Sequence, residues 1–298
     1  MFDYKLLEAL SAVARLGSFD HAARELGLTQ SAISQRVKLL EQRLGRPLLV
    51  RAHPIRPTQA GLALMRHQQQ VAMMESTLST TLTDEQESAY STIRLAVNAD
   101  SLATWLPTAL AHLFEHHDVL SELTVEDEVV TLERLRRGEV AGCISAHARA
   151  VQGCRSTLLG ALGYQLVATP KFIARHFADG ICAQTLMQAP TLLFGRDDEL
   201  LTRFLGRHFG DANGRPPHHQ LPSSQGFLDA VLQHMGYALL PQPQVQDALA
   251  QGQLKSLSDH RIQVPLYWHS WRLQSPVMET VGHTLIQHGK SALLKHKA

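Results

Sequence analysis

Cysteine is scarce in this chain of 298 residues, which contains only Cys143, Cys154 and Cys182. The count is odd and no CxxC pair occurs, so the sequence predicts neither a disulfide framework nor a zinc site. The motifs GxGxxG, P-loop, GxSxG and HExxH are also missing, so nothing in the sequence indicates an enzyme. The 17 histidines include two adjacent pairs, but neighbouring side chains diverge, and we expect no metal site.

Long hydrophobic runs are missing too. No apolar stretch approaches the length of a membrane span. The first residues carry Asp3, Lys5 and Glu8 in an amphipathic pattern rather than the apolar core of a signal peptide. We therefore expect a cytoplasmic protein that does not bind membranes.

The whole chain has almost no excess charge of either sign, since its net charge is +1. Its first part, however, carries an excess of positive charge. The basic residues of segment 15–66 are Arg15, Arg24, Arg36, Lys38, Arg43, Arg46, Arg51, Arg56 and Arg66. The acidic residues of the same segment are only Asp20, Glu25 and Glu41. This distribution predicts a local surface for phosphate rather than a nonspecific coat on nucleic acid.

Residues 18–38 have the pattern of two short helices that meet at Gly27. Ala23 is small enough to let the second helix cross the first closely, and Ile33 and Val37 supply the inner face of the second. The other face of that helix carries side chains that can bond bases or phosphates: Gln30, Ser31, Ser34, Gln35, Arg36 and Lys38. The segment predicts a helix-turn-helix whose second helix can lie in the DNA major groove.

The helices around this motif have clear boundary signals. The spacing of leucines predicts a first helix over Tyr4–Arg15, ended by Gly17, and Ser18 is suited to cap the next helix. Thr29 should cap the recognition helix, which we expect to run to about residue 44 and to stop at Gly45.

A short strand, several prolines and two arginines follow in P-L-L-V-R-A-H-P-I-R-P-T. We interpret this segment as a wing, a hairpin-like arm beside the DNA, with Arg51 and Arg56 directed toward phosphates. An ordinary solvated loop is the alternative. Residues 1–58 are thus predicted to form a winged helix-turn-helix domain.

A long helix is predicted from Thr58 to about Leu82. Apolar residues recur there at the spacing of a paired helix seam, which His67 interrupts: Leu64, Val71, Met74 and Leu78. This spacing predicts a short dimerising seam, and packing on the helix's own domain is the alternative. The polar stretch 83–91 is interpreted as a hinge, so residues 59–90 form a linker.

Strand and helix patterns alternate over residues 91–298 and predict an α/β domain with parallel sheets. The strand candidates are Ile93–Asn98, Glu122–Glu126, Val140–Ser145, Tyr164–Ala168, Thr191–Phe194, Tyr237–Leu240 and Val264–His269. The helix candidates are Leu102–Phe114, Val130–Arg137, Leu200–His208, Gln225–Met235 and Val277–His288. The length predicts two lobes with a ligand cleft between them, one over about 91–162 and 267–298 and the other over about 163–266.

These features resemble the LysR-type transcriptional regulators over essentially the full length. The winged helix-turn-helix and T-Q-A-G at the start of the linker helix carry the resemblance to the family. Four further segments resemble its branch that responds to basic amino acids: Leu95–Trp105, Val125–Glu128, Arg134–Val140 and Leu266–His269. The resemblance implies an effector domain similar to periplasmic binding proteins and control of lysine and arginine exporters.

The resemblance also implies roles for single residues in the DNA-binding head. Gln30, Ser31, Ser34 and Gln35 would face base edges, and Arg36, Arg51 and Thr58 would hold the DNA backbone. Glutamine can pair bidentately with adenine, and arginine supplies salt-dependent attraction to phosphate. For Ser31, in the first helical turn, local capping is the alternative.

Effector contacts are expected where strands end and helices begin. The candidates for these contacts are Asn98, Ala99, Asp100, Ser101, Asp127, Ser145, Ser223 and Ser224. A buried ammonium group needs a carboxylate, which Asp100, Glu126, Asp127, Asp197 or Asp198 can provide. Asp100 as a helix cap, Asp197 and Asp198 as solvated first-turn acids, and Ser145 as a strand end are the alternatives. Gln225 replaces an acid that many related regulators carry.

The sequence therefore predicts a ligand-gated regulator of transcription with no cofactor besides its small-molecule effector, lysine or arginine. Its expected partners are double-stranded DNA, a second copy in a homodimer or homotetramer, and RNA polymerase. The alternatives are a LysR-type regulator of another small anion, a solute-binding transport component, and an architectural protein that inhibits initiation of replication.

Overall fold

The fold is described from a computed structural model, which covers residues 2–82, 90–126, 128–196, 198–210, 214–272 and 275–295. The first part contains three helices, a small hairpin and a long helix: α1 (Tyr4–Leu16), α2 (Phe19–Glu25), α3 (Gln30–Leu44), β1 (Leu49–Val50), β2 (Arg56–Pro57) and α4 (Gln59–Leu82). Among the described residues, no helix is long and apolar enough to cross a membrane.

The boundary residues act as the sequence predicted. The hydroxyl of Ser18 accepts a hydrogen bond from the His21 amide at the start of α2, and that of Thr29 accepts one from Ala32 at the start of α3. Gly45 ends α3 in the left-handed conformation, which glycine adopts without a Cβ penalty. The boundaries of α3 are therefore confirmed.

The three helices share one hydrophobic core with the start of the linker helix. Leu7, Leu10, Ile33 and Val37 are buried in it, as their spacing predicted. Leu64 belongs to the same core, so this residue packs within its own chain and is unavailable to a helix partner. The predicted seam can therefore use only residues further along α4.

The second part alternates strands and helices. Its first half contains β3 (Ser91–Val97), α5 (Ala99–Leu102), α6 (Leu106–His117), β4 (Val119–Val125), α7 (Glu128–Arg137), β5 (Gly142–Ser145), β6 (Cys154–Ala168), α8 (Pro170–His176) and α9 (Ala183–Gln188). Its second half contains β7 (Thr191–Leu193), α10 (Leu200–Phe209), β8 (His218–Gln220), α11 (Ser224–Leu232), β9 (Ala238–Pro241), α12 (Gln242–Ala250), β10 (Lys255–Ser256), β11 (Ile262–Trp271) and α13 (Pro276–Ala292).

One mixed sheet runs through this part in the order β10-β6-β11-β5-β3-β4, with β9 also paired to β6. Strand β3 is parallel to β4 and β5, whereas β11 is antiparallel to β5 and β6. The expectation of parallel sheets therefore holds for β3, β4 and β5, whereas the long strands β6 and β11 run antiparallel to each other and make the sheet mixed. The register of β6 and β11 shifts between Leu266 and Tyr267.

Candidate DNA-binding surface and ligand cleft

The recognition helix α3 has two chemically distinct faces. Ile33 and Val37 are buried against α1, while the predicted base-contacting side chains Gln30, Ser31, Ser34 and Gln35 are exposed. Lys38 is exposed on the same helix, and Arg36 is half-buried. The exposed face offers amides, hydroxyls and positive charge together, which suits the edges of bases and the phosphates beside them.

The wing lies next to this helix as an antiparallel pair in which Val50 faces Arg56. Glu41 on α3 holds it in place, since one of its carboxylate oxygens accepts a hydrogen bond from the Leu48 amide at 2.8 Å. The side chain of Arg51 is 66% exposed, and its closest described carboxylate, that of Glu41, lies 3.8 Å away. Arg51 and the exposed Arg56 are therefore accessible to phosphate.

Two predicted DNA contacts already have local partners. The Thr58 hydroxyl donates to the Pro47 carbonyl at 3.0 Å and accepts from the Gly61 amide at 3.2 Å. Thr58 therefore caps the start of α4, and its expected role as a phosphate contact has no support in this geometry. The hydroxyl of Ser31 lies 3.0 Å from that of Thr29, in agreement with local capping.

A cleft of about 850 Å³ opens in the second part of the chain. It lies at the carboxyl ends of three strands, where Asn98, Ala99 and Asp100 follow β3, Glu126 follows β4, and Ala146 and His147 follow β5. Parallel strands bring these ends to one edge of a sheet, as the sequence predicted. Side chains from the second lobe, including Phe194, Asp198, Arg203 and Phe227, line the opposite wall.

Asp100 has the most distinctive environment in this cleft. The Tyr164 hydroxyl donates a hydrogen bond to its Oδ2 at 2.6 Å. Burial raises the pKa of the Asp100 carboxyl, hydrogen bonds from Ser224 and Tyr164 act in the opposite direction, and the nearby charge of Asp198 raises it further. A positively charged ligand group would favour the ionised carboxylate and offset the cost of its burial.

Asn98 adds an unsatisfied acceptor to the same edge. The residue is only 4% exposed, and its Oδ1 atom has no hydrogen-bond partner within the part of the chain that the structure describes. A buried carbonyl oxygen without a partner costs about 1–3 kcal/mol. A ligand N–H group would remove that cost, so Asn98 and Asp100 together favour a ligand with several N–H donors.

Other predicted effector residues have structural roles. Ser101 is fully buried and its hydroxyl accepts from the Trp105 indole at 3.2 Å, so it neither caps a helix nor lines the cleft. Ser145 is also buried and accepts from the His147 amide at 3.3 Å. Ser223 caps α11 by accepting from the Gly226 amide. Ser224 is placed differently, because its hydroxyl donates to Oε1 of Gln244 at 3.2 Å and also lies close enough to Asp100 to lower the pKa of that carboxyl.

The remaining acids differ in availability. Asp198 accepts hydrogen bonds from the Phe194 and Leu200 amides just before α10, and it also lines the cleft. Glu126 lines the cleft but is paired with Arg134. Asp127 and Asp197 lie outside the described residues. No group of three or more described His, Cys, Asp or Glu side chains is placed to hold a metal ion.

Tyr164, His147 and Arg203 are cleft residues that the sequence did not indicate. Tyr164 lies inside the long strand β6, among buried residues, and is 64 positions from Asp100. Its only sequence signal is a hydroxyl-bearing aromatic residue within an apolar strand, which needs a polar partner somewhere.

Comparison with known proteins identifies the class to which this fold and these two surfaces belong. Two family models match the chain. The model of the bacterial regulatory helix-turn-helix protein, lysR family, matches residues 4–62, and the model of the LysR substrate binding domain matches residues 86–290. The chain belongs to the LysR family of bacterial transcriptional regulators, and it is not an enzyme. The resemblance drawn from the sequence is confirmed.

Among individual proteins, the chain is similar to those called ArgP. It is 48% identical over 274 residues to the HTH-type transcriptional regulator ArgP of Pseudomonas fluorescens (strain Pf0-1), covering 91% of this chain and 92% of that protein. The crystal structure of ArgP from Mycobacterium tuberculosis matches with a TM-score of 0.85 and 36% identity, over 100% of both chains. Full-length LTTR LysG from Corynebacterium glutamicum with bound effector Arg matches with a TM-score of 0.77 and 31% identity, over 98% of this chain and 100% of LysG.

Proposed function

We propose that this transcription regulator binds a basic amino acid, arginine or lysine, in the cleft between its lobes, and that its affinity for DNA changes when the ligand is bound. The observation that carries this proposal is that the Asp100 carboxylate lies at the same edge of the cleft as the Asn98 Oδ1 atom, which has no hydrogen-bond partner among the described residues. Both groups accept hydrogen bonds, and Asp100 adds the negative charge that an ammonium or guanidinium group needs.

The cleft also has a group suited to the other end of an amino acid. Arg203 lines it and can attract an α-carboxylate, while Phe194 and Phe227 provide apolar surface for the aliphatic part of the ligand. The arginine bound to the similar protein LysG supports the choice of ligand.

The proposal includes the assembly on DNA. Two winged heads (residues 1–58), joined through linkers (residues 59–90), would bind a dyad-symmetric site, and the effector domains (residues 91–298) would sense the ligand. A homodimer or homotetramer acting in the cytoplasm, with RNA polymerase as a further partner, completes the scheme. Gln30, Ser34 and Gln35 would read bases, and Arg36, Lys38, Arg51 and Arg56 would hold phosphates.

Calorimetry with arginine, lysine and citrulline tests the ligand. Citrulline has nearly the shape of arginine but no positive charge, so we expect arginine or lysine to bind and citrulline to bind far more weakly. Binding of simple carboxylates without binding of either basic amino acid would contradict the proposal and favour the regulator of another small anion.

Fluorescence anisotropy on the promoter of a basic-amino-acid exporter tests the response. We expect the affinity for this DNA to change when arginine or lysine is added, because a ligand that prefers one state shifts the equilibrium toward it. Equal affinity for unrelated sequences, with no effect of either ligand, would instead favour the architectural inhibitor of replication initiation.

A further inference from the structure

The linker helix α4 packs so closely against the loop that follows α7, residues 138–141, that a side chain at Gly138 would have to displace its neighbours. Gly138 has a φ of +69°, and a Cβ atom on it would lie 3.0 Å from both Cα and Cγ of Arg66. Real Cβ atoms seldom approach other atoms so closely, and the backbone of a helix cannot easily move aside. The linker helix and the effector domain therefore meet backbone to backbone at this point.

Gln69, one turn further along α4, contacts the same loop. With its amide nitrogen directed toward the Gly138 carbonyl, the Gln69 side chain is placed to donate to that oxygen, and its own oxygen then lies 3.1 Å from the Ala141 amide nitrogen, which also donates to the Arg94 carbonyl. Gln69 therefore faces the loop at Gly138 and again at Ala141. We call this contact, formed by Arg66 and Gln69 with residues 138–141, the linker dock.

A chain of charges connects the linker dock to the effector cleft along α7. Arg134 donates to the Glu126 carboxylate from its Nε atom at 3.1 Å and to the Glu139 carboxylate from Nη1 at 2.7 Å. Glu126 lines the cleft, and Glu139 immediately follows Gly138 in the dock. One arginine thus ties a cleft residue to the loop that holds the linker helix.

The cleft and the dock region also share a wall. A second cavity, of about 710 Å³, lies between α4, α7 and residues 147–152, and His147 lines both cavities. The carbonyl oxygen of His147 is 2.8 Å from Nε2 of the buried His269, which anchors this segment to β11. The segment that separates the two spaces is therefore held to the sheet.

We infer that α7 transmits occupancy of the cleft to the linker helix, through competition between the ligand cation and Arg134 for the Glu126 carboxylate. This inference rests on the proposed function. When a cationic group approaches Glu126, Arg134 keeps only Glu139 as a partner, and α7 with its loop can move relative to α4. The ligand can act in this way if it binds two states with different affinity: one in which the linker dock is closed and one in which α7 and its loop have moved away from α4.

The sharpest test compares two glycine substitutions. Gly138→Ala imposes backbone strain and a clash with Arg66, whereas Gly252→Ala imposes similar strain at a φ of +72° with nothing within 4 Å. The ratio of DNA affinities with and without arginine measures coupling, which is typically about 5- to 150-fold in allosteric proteins. We expect Gly138→Ala to bring this ratio to within about twofold of unity and Gly252→Ala to leave it near that of the unaltered protein.

Two variants without backbone strain complete the test. Glu139→Gln breaks the chain of charges outside the cleft, and we expect it to keep arginine binding in calorimetry but to lose most of the coupling. Glu122→Gln is its control, since Glu122 forms a comparable pair with Arg94 at 2.7 Å on the exposed side of β4. If Gly138→Ala fails to fold, Gln69→Ala replaces it, with Gln70→Ala as the control on another face of the helix.

The outcomes separate this inference from the proposed function. If arginine neither binds the unaltered protein nor changes its DNA affinity, the proposed function is wrong and the inference falls with it. If the unaltered protein responds to arginine, but Gly138→Ala and Glu139→Gln respond as strongly as their controls, only the role of α7 and the linker dock is contradicted.

Discussion

Asp100 is the residue whose protonation should govern ligand binding. Its pKa is raised by burial, and a bound cation would lower it again, so ligand binding releases a proton. We therefore expect the affinity for arginine to rise with pH as free Asp100 loses its proton, and to level off above that pKa. Calorimetry over a pH series, repeated in buffers of different ionisation enthalpy, measures both effects.

Two substitutions separate charge from position at this site. Asp100→Asn should lose most of the affinity and all of this pH dependence. Tyr164→Phe removes the 2.6 Å hydrogen bond that stabilises the carboxylate, so it should move the rise in affinity to higher pH. An unchanged pH profile in Asp100→Asn would exclude Asp100 as the group that titrates.

On the recognition surface, Gln35→Ala and Arg51→Ala should weaken DNA binding in different ways. Loss of an amide that pairs with a base should cost about 1–3 kcal/mol at that base pair and relax discrimination there. Loss of a phosphate contact should weaken binding to all sequences and reduce the salt slope by about one. Anisotropy titrations on matched and mismatched sites at several salt concentrations distinguish them, and an unaltered base preference in Gln35→Ala would contradict its assigned role.

At the scale of elements, the junction between the wing and α4 is closely packed. A Cβ on Gly61 would collide with the Leu48 carbonyl oxygen and lie 3.3 Å from the Cβ of Pro57. We expect Gly61→Ala to destabilise the DNA-binding head by about 1–3 kcal/mol, the usual cost of overpacking. Gly206→Ala in α10, where the new Cβ would meet no described atom within 4 Å, is the control and should stabilise its helix by about 0.5–1 kcal/mol.

The three tryptophans make this effect measurable by element. All of them, Trp105, Trp268 and Trp271, lie in the effector domain, so their fluorescence reports its unfolding, whereas far-ultraviolet circular dichroism reports both parts. Gly61→Ala should lower the midpoint temperature of the unfolding step that is seen by circular dichroism but not by tryptophan fluorescence. A shift of the fluorescence transition by the same amount would show that the two parts unfold together.

The elements that local signals could predict are those that begin and end at cap residues. Thr29 and Gly45 bound α3 as predicted, because a side-chain cap and a left-handed glycine act within a few residues of the chain. The predicted helix Leu102–Phe114 instead divides into α5 and α6, and the predicted strand Tyr164–Ala168 is the end of a strand that begins at Cys154. Pairing with β11 extends that strand, and no local pattern contains this information.

At the scale of the whole molecule, dimerisation should depend on the part of α4 beyond Leu64, where Met74 lies. Met74 is 45% exposed, while Leu64, earlier in the predicted seam, is buried in its own head. We expect Met74→Glu to shift the protein toward monomers in sedimentation velocity and to weaken binding to a dyad site, because two linked heads bind far more tightly than one. Met235→Glu, at another exposed methionine, should leave the assembly unchanged.

The sequence alone determined that this chain has a DNA-binding head, a linker helix and a ligand-binding α/β part. Helical spacing, caps and the uneven distribution of arginine act locally, and they survive in the linear order of residues. Only the tertiary structure decided which side chains meet in the cleft and which serve the fold. Tyr164 reaches Asp100 across 64 positions, while Ser101 turns inward to Trp105 and Thr58 caps a helix. Such meetings depend on the register of distant strands and on which face of a helix is buried, and these are set when the whole sheet packs.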